Sequence, residues 1–374
     1  MTNGESADIC LLMSELEKRK GYSLNMIVGL DGFVDEIIHV VDKREDFKSF
    51  TRIEYIEEFG NRITKAAGLS TNIEFVVQQT KLGGNGPIYS NALIEFGAGL
   101  TYIGAIGLPD IHPVFKNLAD RAVAVYPLSD PGHTDALEFL DGKLMLGKYS
   151  GLSVITWEHF KNVLGGVDKI AEMIKPCRLF GMENWTMLPH MSEVWEGLIN
   201  EVFPLLPSKD DRPVAFFDLA DPEKRTKDDI LNAMSLLNRF EEKFNTILGL
   251  NEKELYEIAE VFGVNESSLN STTIAVYNKL GIYCLVVHPT KEAVCVIKGE
   301  YYQADGPYCA HPKLTTGAGD NFNAGFCFAQ GLGLDPQSSL LLGVSTSGYY
   351  VRNAKSPTIC CLLSFLKEWM EGNI

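Results

Sequence analysis

Residues 314–326 read Leu-Thr-Thr-Gly-Ala-Gly-Asp-Asn-Phe-Asn-Ala-Gly-Phe and carry the strongest signal in the chain. Phe322 and Phe326 are one helical turn apart, and glycines follow at the far end, so the pattern predicts a helix that begins beside Gly319. Glycines at a helix start let backbone amides approach an anion closely, and the helix dipole favours phosphate there. The stretch therefore predicts a phosphate-binding turn that leads into a helix.

The carboxylate of Asp320 directly follows these glycines, where it would repel a bound phosphate. Its position is explained if it accepts a proton from a hydroxyl that attacks the phosphorus. The alternative is a glycine-rich turn in which Asp320 is an ordinary helix N-cap. The residues alone leave both interpretations open.

A regular alternation of strands and helices surrounds this motif. Apolar runs predict strands at Leu24–Leu30, Leu100–Ile106, Arg178–Met182, Val214–Leu219, Thr246–Leu250, Tyr283–His288 and Ala293–Lys298. Helical spacing predicts helices at Pro87–Phe96, Met191–Phe203, Lys227–Phe244, Glu252–Phe262 and Ser268–Leu280. This alternation predicts an α/β fold, with a central mostly parallel sheet flanked by helices and ligands at the carboxyl ends of the strands.

Two segments stand apart from the alternation. Thr134–Tyr149 has a hairpin pattern with Asp141-Gly142 as its turn, and Phe47–Gly68 is charged and predicts a helix. We expect one domain over residues 1–374, with a small β lid drawn from parts of about 36–80 and 130–150.

Charge and composition limit the partners. The 374 residues have a formal net charge of −16, which disfavours nucleic acid and anionic membranes as partners. The eight cysteines form no C-x-x-C pair, so we expect buried, reduced thiols. No signal segment and no apolar run of ~18 residues is apparent, so we expect a cytoplasmic protein, with a homodimer left open.

Together these motifs resemble the ribokinase-like (PfkB) family of carbohydrate kinases. That family has a C-terminal D-T-x-G-A-G-D signature, and this chain has L-T-T-G-A-G-D at 314–320. Its G-G motif that opens a helix is matched by Gly83-Gly84, and its N-x-x-E by Asn251 to Glu254. Its aspartate after the first strand is matched by Asp35, with Asp31 as competitor. The resemblance runs from about residue 25 to 355 and implies the ribokinase-like fold.

The resemblance also implies a function, the transfer of the terminal phosphoryl group of a nucleotide, with ATP as the expected donor, to a hydroxyl of a sugar-like acceptor. Asp320 takes the place of the catalytic base, and the amides of Gly317, Ala318 and Gly319 that of the anion hole. The remaining implied roles are acceptor binding by Asp35 or Asp31 with Gly83, Gly84 and Asn85, nucleotide binding by Thr316, Asn251 and Thr290, and Mg²⁺ binding through water by Glu254.

The chain departs from the family pattern at three positions. Leu314 replaces the leading aspartate, which makes a monovalent-cation site doubtful. Ile88 replaces an asparagine after the glycine pair, and His288-Pro289-Thr290 replaces T-x-G. These changes indicate a divergent member with altered sugar contacts and an altered nucleotide pocket.

Several alternatives remain at this point. A catalytically idle member that binds a metabolite and regulates another process would also show these departures. A nucleoside or vitamin kinase, or an ADP-dependent sugar kinase, would share the motifs. A dinucleotide oxidoreductase is disfavoured, since Gly29-Leu30-Asp31-Gly32 lacks the G-x-G-x-x-G spacing.

Overall fold

The structure, a computed structural model, describes residues 3–208 and 210–374. Its strands are β1 (Asn25–Leu30), β2 (Phe33–Arg44), β3 (Phe50–Arg52), β4 (Phe75–Gly83), β5 (Gly99–Gly104), β6 (Ala124–Pro127), β7 (Gly132–Glu138), β8 (Lys143–Lys148), β9 (Leu179–Met182), β10 (Val214–Asp218), β11 (Asn245–Leu250), β12 (Cys284–Val287), β13 (Glu292–Ile297) and β14 (Glu300–Asp305). The α-helices are α1 (Asn3–Lys18), α2 (Ile56–Lys65), α3 (Asn85–Glu95), α4 (Lys116–Arg121), α5 (Trp157–Val163), α6 (Val167–Ile174), α7 (Met191–Gly197), α8 (Lys227–Phe240), α9 (Glu252–Val261), α10 (Leu269–Leu280), α11 (Ala318–Gly331), α12 (Pro336–Asn353) and α13 (Ile359–Met370). Among these, none is long and apolar enough to span a bilayer.

The larger sheet has the strand order β14-β13-β12-β11-β10-β9-β1-β5-β6. All pairs from β6 to β12 are parallel, and only the last two pairings, β12 with β13 and β13 with β14, are antiparallel. Short strands made almost wholly of apolar residues fit a sheet that is covered on both faces. The predicted central, mostly parallel sheet is confirmed. The seven predicted strands agree with β1, β5 and β9 to β13 to within about two residues, whereas the edge strands β6 and β14 were not predicted.

The core has two halves, one on each face of this sheet, because successive side chains of a strand point to opposite faces. On β10, Phe216 stacks against Tyr89 of α3 with ring centroids 5.3 Å apart. Its neighbour Phe217 meets Trp195 of α7 edge-on at 5.0 Å. The face that holds Phe216 also packs against α11, so the core fixes the helix that carries the glycine motif.

The smaller sheet has the order β3-β2-β7-β8, with β4 paired to β2. The predicted hairpin is confirmed, since β7 and β8 pair antiparallel on either side of Gly142. The predicted helix at Phe47–Gly68 is wrong at its start, because residues 50–52 form β3 and pair with β2. Only Ile56–Lys65 is helical, and it packs Phe59 beneath this sheet. One continuous domain, and a lid role for this sheet, stay predictions.

The carboxyl ends of the parallel strands lie along one edge of the larger sheet, where ligands bind in folds of this kind. Each of five strands ends at, or is followed at once by, a polar or ionisable residue. These residues are Asp31 after β1, Glu183 after β9, Asp218 at the end of β10, Asn251 after β11 and His288 after β12.

Candidate active site

The glycine motif begins α11 as predicted. Gly317 is the N-cap residue and has a φ of 89°, a left-handed conformation that favours glycine. A side chain there would also lie 2.9 Å from the hydroxyl of Tyr350 and 3.1 Å from Ile88. The same Tyr350 hydroxyl donates a hydrogen bond of 2.9 Å to the carbonyl oxygen of Thr316. The hydrogen bond from Tyr350 of α12 therefore stabilises the turn before α11.

Asp320 lies in the first turn of α11, and its side chain is buried. Its Oδ1 accepts a hydrogen bond of 3.0 Å from Nδ2 of Asn85, the first residue of α3. Burial raises the pKa of Asp320 to about 8, the charge of Asp31 raises it further, and the Asn85 hydrogen bond opposes this increase. A carboxyl group with such a pKa can accept a proton near neutral pH.

Asp31 fastens the Gly83-Gly84 turn to the end of β1. Its carboxylate accepts hydrogen bonds from the backbone nitrogens of Asn85 (3.0 Å) and Gly86 (2.9 Å). A third hydrogen bond, of 2.9 Å, comes from Nδ2 of Asn184. Burial raises the pKa of Asp31 to about 6, against the lowering effect of these donors. No sequence pattern marked Asn184 for this role.

Asp35 lies on β2, opposite Lys81 of β4, and meets the glycine turn from the smaller sheet. A β-carbon at Gly83 would lie only 2.4 Å from a carboxylate oxygen of Asp35. Burial raises the pKa of Asp35, and a hydrogen bond with Thr134 and the charge of Lys81 partly oppose this. Asp35 also borders a cavity that it shares with Lys81 and Thr316. Both aspartates thus meet the Gly83-Gly84 turn, and the choice of Asp35 as acceptor ligand stays a prediction.

A second cavity, of about 280 Å³, opens against the start of α11. It brings together Thr290, from the segment after β12, with Ala318 and Gly319 of the glycine motif. On its other walls lie His288, Tyr308 and Val344. The cavity therefore combines helix-terminal amides with an aromatic and apolar wall. Thr316 does not line it.

Asn251 and Glu254 form a capping box at the start of α9. The side chain of Asn251 accepts a hydrogen bond of 2.9 Å from the backbone nitrogen of Glu254, and Oε2 of Glu254 accepts one of 2.9 Å in return. Oε1 of Glu254 also accepts from the backbone nitrogen of Asp221 at 2.9 Å. Helix capping explains both residues structurally. Nucleotide binding by Asn251 and metal binding by Glu254 stay predictions.

Acidic side chains cluster beneath the start of α11. Glu183 is fully buried, and neither of its carboxylate oxygens has a hydrogen-bond partner among the residues that the structure describes. Burial, followed by the charges of Asp218 and Asp320, raises the pKa of Glu183 well above its usual range. Burial, followed by the charges of Glu254 and Asp320, does the same to the pKa of Asp218. Carboxyl groups are thus close enough here to disfavour one another's ionisation.

This cluster offers the type of ligand atom that Mg²⁺ prefers. Carboxylate oxygens without basic partners suit a hard divalent cation. Within residues 3–208 and 210–374, no three or more His, Cys, Asp or Glu side chains are arranged to hold a metal ion. No direct coordination site is thus found among these residues, and water-mediated Mg²⁺ binding by Glu254 stays a prediction.

Two further residues near the strand ends, Trp185 after β9 and Arg225 after β10, have structural roles. Trp185 is buried, and the guanidinium of Arg225 lies 4.8 Å from the centre of its ring. Arg225 also donates to the carbonyl oxygens of Trp185, Thr186 and Leu188 at 2.8–3.2 Å. Its donors are therefore engaged in holding the loop after β9.

A family model described as "Khk: Prokaryotic ketohexokinase" matches residues 18–369 of this chain. A curated protein, the ketohexokinase of Haloferax volcanii, is 27% identical over 348 residues, which cover 92% of each chain.

The structure also resembles solved carbohydrate kinases. A fructokinase from Xylella fastidiosa with bound ATP has a TM-score of 0.64 at 12% identity, with 92% of this chain and 98% of that chain covered. An Arabidopsis thaliana ribokinase complexed with ribose and ATP has a TM-score of 0.62 at 17% identity, with 92% and 98% covered. At these identities the structural matches show the fold, and they confirm the predicted ribokinase-like class.

Proposed function

The chain belongs to the prokaryotic ketohexokinase family and is a carbohydrate kinase, and from that premise we propose that it transfers the terminal phosphoryl group of ATP to a hydroxyl group of a ketohexose. The observation that carries the proposal is the position of Asp320. Its carboxylate is hydrogen-bonded to Asn85 of the glycine turn, and its neighbour Gly319 borders the 280 Å³ cavity. It therefore lies between the places proposed for the acceptor and the nucleotide.

The proposed chemistry uses Asp320 as the general base. The acceptor hydroxyl gives its proton to the carboxylate of Asp320, and the acceptor oxygen forms a bond to the terminal phosphorus. The bond between that phosphorus and the bridging oxygen breaks, and ADP leaves with the electron pair. The amides of Gly317, Ala318 and Gly319 stabilise the charge that develops on the transferred group.

The proposed acceptor site lies at the Gly83-Gly84 turn. A polyol brings several hydroxyl groups, and the carboxylate of Asp35 beside this turn is a strong hydrogen-bond acceptor for them. Asp31 is less available, because backbone and side-chain donors already occupy its oxygens. Asn85 lies between the turn and α11, so its side chain can orient both the acceptor and the carboxylate of Asp320.

The cavity of about 280 Å³ is the proposed nucleotide site. Tyr308 and Val344 offer the aromatic and apolar surface that a nucleobase needs, and Thr290 adds a hydroxyl group. Glu254 and Asp218 would hold a hydrated Mg²⁺ ion, which neutralises nucleotide phosphate charge when bound.

The proposal is tested by supplying ATP and Mg²⁺ with a panel of ketohexoses, aldohexoses, pentoses and nucleosides, and by measuring ADP release together with the phosphorylated product. We expect the highest kcat/KM for a ketohexose such as fructose, and loss of turnover when EDTA removes Mg²⁺. A nucleoside as best acceptor would contradict the proposed acceptor class. ATP binding without transfer to any acceptor would instead support a regulatory role.

A further inference from the structure

The imidazole of His288 lies against the start of α11. His288 follows β12 directly, and its backbone nitrogen donates to the carbonyl oxygen of Leu250 at 3.1 Å. Its ring packs against Phe322 of α11 with centroids 5.0 Å apart. Its Cε1 lies 3.0 Å from the point where a β-carbon at Gly319 would stand. The ring thus touches the backbone of the helix terminus, and the absence of a side chain at position 319 makes the approach possible.

The nitrogens of this ring are available to a ligand. Within the described parts of the chain, no other residue forms a hydrogen bond with them, and the polar contact of the ring is with the backbone of His288 itself. The ring instead lines the 280 Å³ cavity together with Gly319, Ala318 and Thr290. A polar side chain that no other residue engages, in this cavity and next to helix-terminal amides, is well placed to bind an anion.

The imidazole is also suited to act as a neutral donor. Desolvation lowers the pKa of His288 to about 4, so the ring carries one N–H donor and no charge at neutral pH. A neutral donor can bind a phosphate oxygen without placing a positive charge beside Asp320, the proposed base. A lysine at this point would lower the pKa of Asp320 and weaken it as a proton acceptor.

We propose that His288 donates a hydrogen bond to a phosphate oxygen of the bound nucleotide and works together with the amides at the start of α11. This inference rests on the proposed function, because it needs an adenine nucleotide in the cavity. It assigns a specific contact to a position where the chain departs from the family's T-x-G pattern.

The test measures the affinities of ATP, ADP and adenosine, with Mg²⁺ present, by calorimetry. His288→Phe keeps a ring against Phe322 but removes both nitrogens, and His288→Ala removes the ring without adding bulk. We expect each to weaken ATP and ADP binding about tenfold or more, equivalent to ~1.4 kcal/mol, and to leave adenosine binding within twofold. His288→Gln should retain part of the affinity, since its amide also donates. His190→Gln, at a surface histidine beside Glu193, is the matched control and should match wild type.

Unchanged ATP affinity in His288→Phe and His288→Ala would overturn the contact. An equal loss of adenosine affinity would also overturn it, because the ring would then act as a wall for the nucleoside. If the wild-type chain binds adenosine and ADP no better than an unrelated protein does, the proposed donor itself fails, and the contact fails with it. The wild-type measurement therefore separates failure of the proposed function from failure of this inference.

Discussion

Nδ2 of Asn85 donates a hydrogen bond of 3.0 Å to Oδ1 of Asp320, which lies 235 positions away in the chain. The backbone nitrogen of the same Asn85 donates to Asp31 at 3.0 Å. One residue thus links the end of β1, the glycine turn and the start of α11. The link places the proposed base at a fixed position relative to the proposed acceptor site.

Asn85→Ala should shift the pH dependence of catalysis. The Asn85 hydrogen bond lowers the pKa of Asp320, so its removal should raise that pKa and move the acidic limb of kcat/KM to higher pH. A shift of one pKa unit would reduce activity at pH 7 about tenfold. Asn200→Ala, at an asparagine that pairs with Arg239 at the surface, is the control. An Asn85→Ala profile that coincides with wild type would show that this bond does not tune the base.

Asp320→Asn should change how stability depends on pH. The folded-state pKa of Asp320 is about 8, above the usual 3.8, so its contribution to stability is fully present below about pH 3.8 and is lost as the pH rises through about 8. An asparagine has no such loss. Urea midpoints of the ligand-free proteins at pH 5, 7 and 9 should therefore show a relative gain for the variant that is largest at pH 9. Urea midpoints that change with pH in the same way for both proteins would refute the raised pKa. The control is Asp120→Asn, at an exposed aspartate that pairs with Lys116, and its midpoints should follow those of wild type.

Asp35→Ala should mainly affect acceptor binding, whereas Asp31→Ala should mainly affect the stability of the fold. Asp35→Ala should raise the KM for the ketohexose about tenfold or more with a small effect on folding, because Asp35 is proposed to bind hydroxyl groups. Asp31→Ala should lower the free energy of unfolding by about 2–5 kcal/mol, because three donors lose a buried partner. Kinetics and urea unfolding of both variants distinguish them. A raised KM in folded Asp31→Ala, with an unchanged KM in Asp35→Ala, would reverse the assignment.

Gly317→Ala should reduce turnover more than its effect on stability explains. The left-handed φ of Gly317 strains any side chain, and a methyl group would also meet Tyr350 and Ile88 beside the proposed anion hole. Gly333→Ala is the matched control, since Gly333 has a φ of 73° but open space around it. Both variants should lose about 1 kcal/mol from strain. Only Gly317→Ala should lose about tenfold or more in kcat, and an equal kcat for the two would contradict the anion-hole role.

The seven inner strands of the larger sheet were predictable because they are largely buried on both faces and form continuous apolar runs. The edge strands β6 and β14 are more exposed and were not predicted. Most strands of the smaller sheet were not predictable from the sequence. The stretch 75–83 of β4 has the exposed polar residues Gln78, Gln79 and Thr80, and β2 ends in charged residues, so neither shows a clear period. Residues 50–52 became a strand through pairing with β2, a tertiary contact that outweighs the local helical pattern.

The site was predictable only as separate motifs. The turn at Gly83-Gly84 and the start of α11 each have local glycine signals, but the bond between Asn85 and Asp320 depends on how α3 packs against α11. No local sequence pattern predicts the hydrogen bond that Asn184 donates to Asp31. The sequence also does not predict that the carboxyl group of Glu183 lacks a hydrogen-bond partner among the described residues. Its burial and its neighbouring charges arise only in the folded chain.

The central claim is that Asp320 is the base for phosphoryl transfer, and kcat of Asp320→Asn with ATP, Mg²⁺ and the best ketohexose tests it most directly. Asparagine keeps the shape of the side chain but cannot accept the proton, so kcat should fall by ~10²–10⁴. At pH 9, where Asp320 with its pKa of about 8 is ionised, the affinity for ATP should stay the same or tighten, because a negative charge beside the phosphates is removed. A folded Asp320→Asn variant with kcat within about tenfold of wild type, below the ~10² expected for a lost base, would contradict the claim.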